Sequence, residues 1–137
     1  MSKITPGMVE RQIQKYWSSF CSKSIEELPR FYASAAVVFG PSAERAESGP
    51  VATMRRIREY MHPAAAMTVN LGRIEVQQLG ENIAIASYPY SFIARNIVKD
   101  FRDPADQILE HARATQVFEL RDGTLEIVHE HMSVVMR

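Results

Sequence analysis

One glutamate has the surroundings that acid–base chemistry requires. In an alternating run near the end of the chain, Glu130 is predicted on the same strand face as Val128 and Met132. A carboxyl group among apolar neighbours is held protonated or is poised to exchange a proton. We therefore predict Glu130 as the catalytic candidate. The alternative is a carboxylate that is solvated at a cavity mouth or paired with an arginine such as Arg73.

Two histidines flank this glutamate. His129 and His131 are two positions apart, so both imidazoles project from one face of a strand, as two ligands of a metal would. A metal site needs a further ligand, for which His111 or Glu110 on the partner strand is the candidate. Because no further close ligand motif is present, we predict no metal site and no cofactor. The histidines are expected to be bonded within the outer face of the sheet or to lie at a subunit contact.

Aromatic residues form two groups that suit the wall of a pocket. One group recurs at helical spacing near the N-terminus, and the other alternates along a strand. The members are Tyr16, Trp17 and Phe20 in the first group and Tyr88, Tyr90 and Phe92 in the second. Such stripes are usually core, but inward tyrosines supply polar handles in an apolar cavity.

Two further features favour structural roles. The arginines at positions 55, 56 and 58 could grip a phosphate, but together with Glu59 they are more typical of a solvated helix face. Cys21 has no nearby histidine to activate it and is expected to be a buried small apolar residue. The sequence contains no glycine-rich phosphate loop and no serine nucleophile motif.

Helices are predicted in the first half of the chain. Thr5-Pro6 is a helix start, and Ser24 to Glu27 forms a capping box for a short second helix that Pro29 limits. A third helix is expected from Gly49-Pro50 to His62-Pro63. Its predicted inner residues are Val51, Met54, Ile57 and Met61, with Arg55, Arg56, Arg58 and Glu59 outward.

Strands dominate the second half. Arg121-Asp122-Gly123 between alternating runs predicts a hairpin that pairs Ala112 to Leu120 with Thr124 to Met136. In Ile83 to Ile97 the aromatic residues share one face, and Pro89 indicates a bulge or bend. Phe101 to Gln107 is expected to be a loop or flap, and Ala36 to Phe39 a short earlier strand.

Length and charge limit the classes of function. We expect the 137 residues to form a single domain, 1–137. The 16 basic residues balance the 16 acidic ones, which disfavours a nucleic-acid partner or an acidic membrane. One cysteine allows no intrachain disulfide, and no segment reads as a signal peptide or a bilayer span. We expect a cytoplasmic protein.

Short pieces along the chain resemble a known superfamily. In the first half these are Lys15-Tyr16, Leu28, Phe31-Tyr32-Ala33, Val37-Val38, Gly40-Pro41, Gly49 and the helix Met54 to Tyr60. Their order and spacing resemble the ketosteroid isomerase and SnoaL-like polyketide cyclase branch of the nuclear transport factor 2 superfamily. Thr115, Val117, Arg121-Asp122-Gly123 and the run Ile127 to Ser133 resemble the closing hairpin of SnoaL-like domains and of the calcium/calmodulin-dependent kinase association domain.

The resemblance implies an α+β fold. Three N-terminal helices would pack on a strongly curved, mostly antiparallel sheet, a cone-shaped cystatin-like roll with a central pocket. The isomerases use a tyrosine that Tyr16 matches and an aspartate base whose position falls on Gly40, so their chemistry is not expected here. Comparison with the association domain places Tyr90, Gln116 and Met132 where its pocket arginines would lie. Gln116 and Met132 therefore join the six aromatic residues as predicted pocket residues.

The predicted function is that of a SnoaL-like domain that binds a small apolar or weakly polar ligand and forms a homodimer. The outer sheet face would otherwise expose an apolar patch. Its members are Ile83, Ile85, Ile93, Leu125, Ile127 and the two histidines. Two alternatives remain open. One is a cyclase, isomerase or dehydratase that uses Glu130, with Tyr16 or Tyr90 polarising a carbonyl, and the other is an oligomerisation module.

Overall fold

The computed structural model describes residues 3–41, 43–60, 65–96 and 107–135. These residues contain two α-helices, one short 3-10 helix and seven strands. The helices are α1 (Pro6–Cys21), the 3-10 helix η1 (Leu28–Phe31) and α2 (Gly49–Tyr60). The strands are β1 (Tyr32–Phe39), β2 (Glu47–Ser48), β3 (Ala65–Leu71), β4 (Glu75–Gln78), β5 (Ile83–Asn96), β6 (Gln107–Arg121) and β7 (Thr124–Val134).

The strands form one large curved sheet. Their order is β2-β1-β7-β6-β5-β3, with β4 also paired to β5. The β1–β7 pair is parallel and the other pairs are antiparallel, so the α+β prediction with a mostly antiparallel sheet is confirmed. No helix in the described residues is long and apolar enough to cross a bilayer.

The prediction of three N-terminal helices is wrong for the described residues. The second segment is only the four-residue η1, and Glu27 precedes it without a side-chain cap. Pro29 lies in the first turn of η1, and Tyr32 is already the first residue of β1. The segment is therefore too short to form an α-helix. The expected capping box therefore caps no α-helix.

Helix α1 forms as the sequence predicts. Thr5 Oγ1 accepts a hydrogen bond from the Met8 amide at 3.2 Å, and Pro6 occupies the first turn. The apolar stripe faces the sheet and is buried. Its members are Val9, Ile13, Tyr16, Trp17 and Phe20.

Two of the helix α2 residues that were predicted to be inward are exposed, whereas Ile57 is partly buried against the core as predicted. Val51 and Met54 are 49% and 51% exposed, whereas Ala52, Thr53 and Arg56 are buried. Small residues let the helix lie close to β1, since a Cβ at Gly49 would be 2.8 Å from the Tyr32 Cβ. The prediction that Arg56 is outward is therefore wrong, while Arg58 is exposed as expected. Met61 and His62-Pro63 lie outside the described residues.

Strand β5 keeps its alternation across Pro89. Tyr88, Tyr90 and Phe92 all face the core, so the bend expected at Pro89 does not invert the strand. The register shift comes after Tyr90, opposite His111, which has a φ of 57°. The predicted hairpin between β6 and β7 is present, with Asp122 and Gly123 at positive φ. The loop expected over Phe101 to Gln107 lies outside the described residues, except that Gln107 begins β6.

A bulge in β7 changes the predicted faces there. Val117 pairs with His129 and Phe118 with Ile127, so Val128 is the extra residue. Ile127 and Glu130 consequently both face the core, and each is at most 1% exposed. The prediction that Leu125 and Ile127 share the outer face of the histidines is wrong for both residues, because one inserted residue reverses the alternation.

Candidate functional site

The interior of the fold holds a buried ion pair. Arg56, on the inner face of α2, donates from Nη2 to Glu130 Oε2 on β7 at 2.6 Å. Glu130 is fully buried and Arg56 is 7% exposed. A charge so removed from water is tolerated only when it is paired and hydrogen-bonded.

Two tyrosine hydroxyls form hydrogen bonds with the ion pair. Tyr32, at the start of β1, lies 2.9 Å from both carboxylate oxygens of Glu130, to which it donates. Arg56 Nη1 donates to the hydroxyls of Tyr32 and Tyr16 at 2.8 and 3.0 Å. Tyr32, Tyr16 and Arg56 therefore form a connected polar group around Glu130, contributed by β1 and both helices.

A second arm of the network reaches Glu130 across the sheet. Trp17 Nε1 donates to the Tyr88 hydroxyl, and that hydroxyl donates to Gln116 Oε1, both at 3.0 Å. Gln116 Nε2 then donates to Glu130 Oε1 at 2.6 Å. Glu130 thus accepts from an arginine, an amide and a phenol, which leaves it well satisfied without water.

Burial sets the protonation of these groups. It raises the pKa of the Tyr16 hydroxyl and raises the pKa of Tyr32 and Tyr88 well above the usual value, so all three remain neutral phenols. Burial alone would lower the pKa of Arg56. The negative charge of Glu130 and contacts with Tyr32 and Tyr16 outweigh it, and the pKa of Arg56 is raised well above the usual value.

A small cavity adjoins the arginine. It has a volume of about 20 Å³, enough for roughly one water molecule. Its lining is Trp17, Phe20, Pro41, Arg56, Tyr90, Phe92 and Met132. The Tyr90 hydroxyl lies 3.3 Å from the Met132 sulfur. The cavity is therefore aromatic and apolar, with Arg56 as its charged wall.

Arg56 has hydrogen-bonding capacity beyond this network. A guanidinium carries five N–H groups, and three of them donate to Tyr16, Tyr32 and Glu130. Within the described residues, the Nε hydrogen and the second Nη2 hydrogen have no acceptor. A Cβ on Gly40 would lie 3.9 Å from Nη2, which is an ordinary van der Waals contact.

The structure separates the predicted pocket residues into two layers. Trp17, Phe20, Tyr90, Phe92 and Met132 line the cavity, whereas Tyr16, Tyr88 and Gln116 lie behind it in the network. Glu130 also lies behind Arg56 and does not line the cavity. Sequence reasoning missed Arg56 and Tyr32. Only the small residues at positions 49 and 52 signalled that this face of α2 turns inward.

The remaining candidate residues lie elsewhere. Arg73 pairs weakly with Glu75 at 3.9 Å on the surface, while Arg56 is the partner of Glu130. His129 and His131 are on the outer sheet face, and the residues described contain no cluster of three metal-ligating side chains. Burial raises the pKa of the half-buried Cys21 thiol. These residues lie outside the cavity and its network.

Comparisons with known proteins agree on one fold. An NTF2-like protein of unknown function from Pseudomonas putida KT2440 has a TM-score of 0.74 and 16% identity, covering 96% of this chain and 87% of that chain. The CamKII hub homology domain of Chlamydamonas reinhardtii has a TM-score of 0.72 and 20% identity, covering 93% and 96%. The beta subunit of the benzoate 1,2-dioxygenase from Burkholderia mallei ATCC 23344 has a TM-score of 0.76 and 11% identity, covering 98% and 93%.

Identities this low show a shared fold and nothing about activity. None of the curated protein sequences matches the chain significantly. A family model for the SnoaL-like domain matches residues 9–137, which is nearly the whole chain. The chain therefore belongs to the SnoaL-like domain family, and it shares its fold with NTF2-like structures.

Proposed function

We propose that this SnoaL-like domain binds a small, mainly apolar molecule that carries one hydrogen-bond-accepting oxygen. The chemical composition of the cavity wall supports the proposal. Arg56 lines this space and has two N–H groups without an acceptor among the described residues, while the other lining residues are aromatic or apolar. Ligand sites commonly combine an apolar lining with a few convergent polar groups.

Charge favours a neutral ligand. The carboxylate of Glu130 lies 2.6 Å from Arg56 and neutralises it, so an anion would gain little net attraction and would lose its hydration. A carbonyl or ether oxygen accepts from the two remaining N–H groups without adding charge. The chemistry of the site thus suits a ketone, aldehyde or similar compound.

Ligand entry requires the cavity to enlarge. A volume of about 20 Å³ does not hold a ring, so a side chain must move. Met132 is suited to this because its unbranched chain has several rotatable bonds and repacks easily. Replacing Met132 with alanine is expected to open the same space permanently.

The test uses acetophenone and ethylbenzene, which share a ring and a similar shape but differ in the carbonyl oxygen. Trp17 is the only tryptophan, so its indole N–H resonance is a unique NMR reporter on the cavity wall. We expect acetophenone to bind at least about tenfold more tightly than ethylbenzene, because a hydrogen bond to a charged group contributes ~1.5–3 kcal/mol. The Met132→Ala variant should bind both compounds more tightly. The control variant Arg58→Lys, on the exposed face of α2, should leave both affinities unchanged. Equal affinities, or no response of Trp17 even in Met132→Ala, would overturn the proposal.

The acid–base role of Glu130 stays a prediction. Its oxygens accept from Tyr32, Arg56 and Gln116, so proton exchange with a bound molecule would have to pass through Tyr32 or Arg56. The geometry therefore favours Glu130 as the group that orients Arg56. An unchanged turnover in Glu130→Gln, once a reaction is known, would remove the catalytic role.

We also propose that a second copy of the chain packs on the outer face of the sheet. Ile83, Ile85 and Ile93 lie there half-buried, and Val37 on β1 is 42% exposed. Similarity to a hub homology domain raises the alternative of a larger ring. Light scattering at micromolar concentration gives the mass: twice the monomer supports the dimer, a larger multiple supports the ring, and a monomer refutes both.

A further inference from the structure

A polar groove lies on the surface among three parts of the chain: helix α1, the turn that joins β6 to β7, and the segment that leads into η1. Its volume is about 350 Å³. Its lining includes Gln12, Lys15, Glu27, Arg30, Phe31 and Leu125. In the part of the chain that the structure describes, this groove and the cavity beside Arg56 share no lining residue, so the two are separate.

Hydrogen bonds hold the sides of the groove together. Gln12 Nε2 donates to the carbonyl of Leu125 at 3.2 Å and joins α1 to β7. Ser19 Oγ donates to Glu27 Oε2 at 3.0 Å and joins α1 to the segment before η1. Buried Phe31 and partly buried Leu125 supply apolar surface between these sides. The groove is therefore formed by contacts of the folded chain before any ligand enters.

Three charged side chains line this groove without an ionic partner. Lys15 and Arg30 are exposed, and neither belongs to an ion pair within the described ranges. Glu27 is likewise without a cationic partner there, since its carboxylate accepts only from Ser19. Two positive charges and one negative charge are complementary to a ligand that carries two negative charges and one positive charge.

We propose that the groove binds a small zwitterion with two carboxylates and one ammonium group, which is the charge pattern of an acidic amino acid. The carboxylates pair with Lys15 and with Arg30, whose planar fork suits bidentate contact with a carboxylate. The ammonium group pairs with Glu27. Methylene groups between the charges lie against Phe31 and Leu125. This site goes beyond the ketone site proposed above and does not depend on it.

Titration with L-glutamate and with glutarate tests the charge pattern, because glutarate has the same two carboxylates and lacks the ammonium group. The backbone amide resonances of Gly123 and Leu125 report on the groove, and the Trp17 indole resonance reports on the cavity. At low ionic strength, where exposed charges are least screened, we expect glutamate to shift the first two and leave Trp17 unchanged. Glutamate should bind about threefold more tightly than glutarate, since an exposed ion pair contributes modestly.

Charge-removing variants assign the contacts. Lys15→Gln and Arg30→Gln should each weaken the binding of both compounds about threefold, because each loses one carboxylate partner. Glu27→Gln should abolish the preference for glutamate over glutarate, because an amide does not attract the ammonium group. The matched control is Arg58→Gln, which removes one positive charge from the exposed face of α2 and should leave both affinities unchanged. Circular dichroism establishes that each variant is folded.

Weaker binding in the two cationic variants, together with the lost preference in Glu27→Gln, supports the inference. Equal affinities of the wild type for glutamate and glutarate overturn it. So do groove variants that bind like Arg58→Gln, an absence of glutamate binding, or resonance shifts that lie only outside the groove. If one groove variant fails to fold, the other two still report on the contacts.

Discussion

Glu130 and Arg56 neutralise each other in an interior that otherwise consists mostly of aromatic and aliphatic side chains. Neither residue would be tolerated there alone, because an unpaired buried charge loses its hydration without replacement. Tyr16, Tyr32 and Gln116 add further hydrogen bonds to the pair, and two N–H groups of Arg56 are left without an acceptor among the described residues. The network thereby holds the guanidinium in one orientation against the cavity.

Removing the carboxylate charge should destabilise the fold. We expect Glu130→Gln to lower the free energy of unfolding by ~3–5 kcal/mol, since Arg56 then has no counter-ion in the core. The matched control is Glu75→Gln at the surface, which should change stability by less than ~0.5 kcal/mol. Urea unfolding measures both. A loss below ~1 kcal/mol in Glu130→Gln would contradict the role assigned to the pair.

The buried tyrosines make stability fall at alkaline pH. Burial raises the pKa of Tyr88 well above its usual value, so above about pH 10 the unfolded chain releases this proton while the folded chain retains it. The contribution of Tyr88 is complete below pH 10 and is lost as pH rises toward the folded pKa. The slope of unfolding free energy against pH should be shallower in Tyr88→Phe by up to ~1.4 kcal/mol per pH unit between pH 10 and 11. Identical slopes would show that Tyr88 ionises freely in the folded state.

Helix α2 shows where local sequence patterns are ambiguous. Its apolar residues at 51, 54 and 57 and its small residues at 49 and 52 define different faces, and either is compatible with helical periodicity. Two contacts decide which face of α2 turns inward. They are the close approach to β1 at Gly49 and the burial of Arg56 by partners from distant segments. Neither contact can be predicted from the sequence of the helix alone. In contrast, α1 has one apolar face and a capped start, and its prediction is confirmed.

The orientation of α2 leads to a direct comparison of neighbouring positions. Ala52→Gln should destabilise the fold by ~1–3 kcal/mol, because a long polar side chain would enter a packed, buried position. Met54→Gln should change stability by no more than ~0.5 kcal/mol, since Met54 is 51% exposed. Thermal unfolding of the two variants ranks them. The reverse order would place the helix in the orientation that the hydrophobic pattern alone suggests.

The molecule as a whole combines a filled interior with an ordered outer surface. Family resemblance predicted the α+β architecture, and the hairpin of β6 and β7 followed from Asp122-Gly123. The face of Ile127 was not predictable, because the bulge at Val128 has no glycine or proline to mark it. The pocket was predicted as a set of mainly aromatic residues. Arg56 was not predicted to belong to it, because this residue lies on the face of α2 that was expected to be outward.

The most direct test of ligand binding is a crystal structure of Met132→Ala soaked with acetophenone. We expect the ring among Trp17, Phe20 and Phe92, with the carbonyl oxygen within hydrogen-bond distance of Arg56. Density for the ketone at that position would support a ligand-binding domain whose polar contact is the guanidinium. A cavity that stays empty, or a ligand whose oxygen points away from Arg56, would contradict the account.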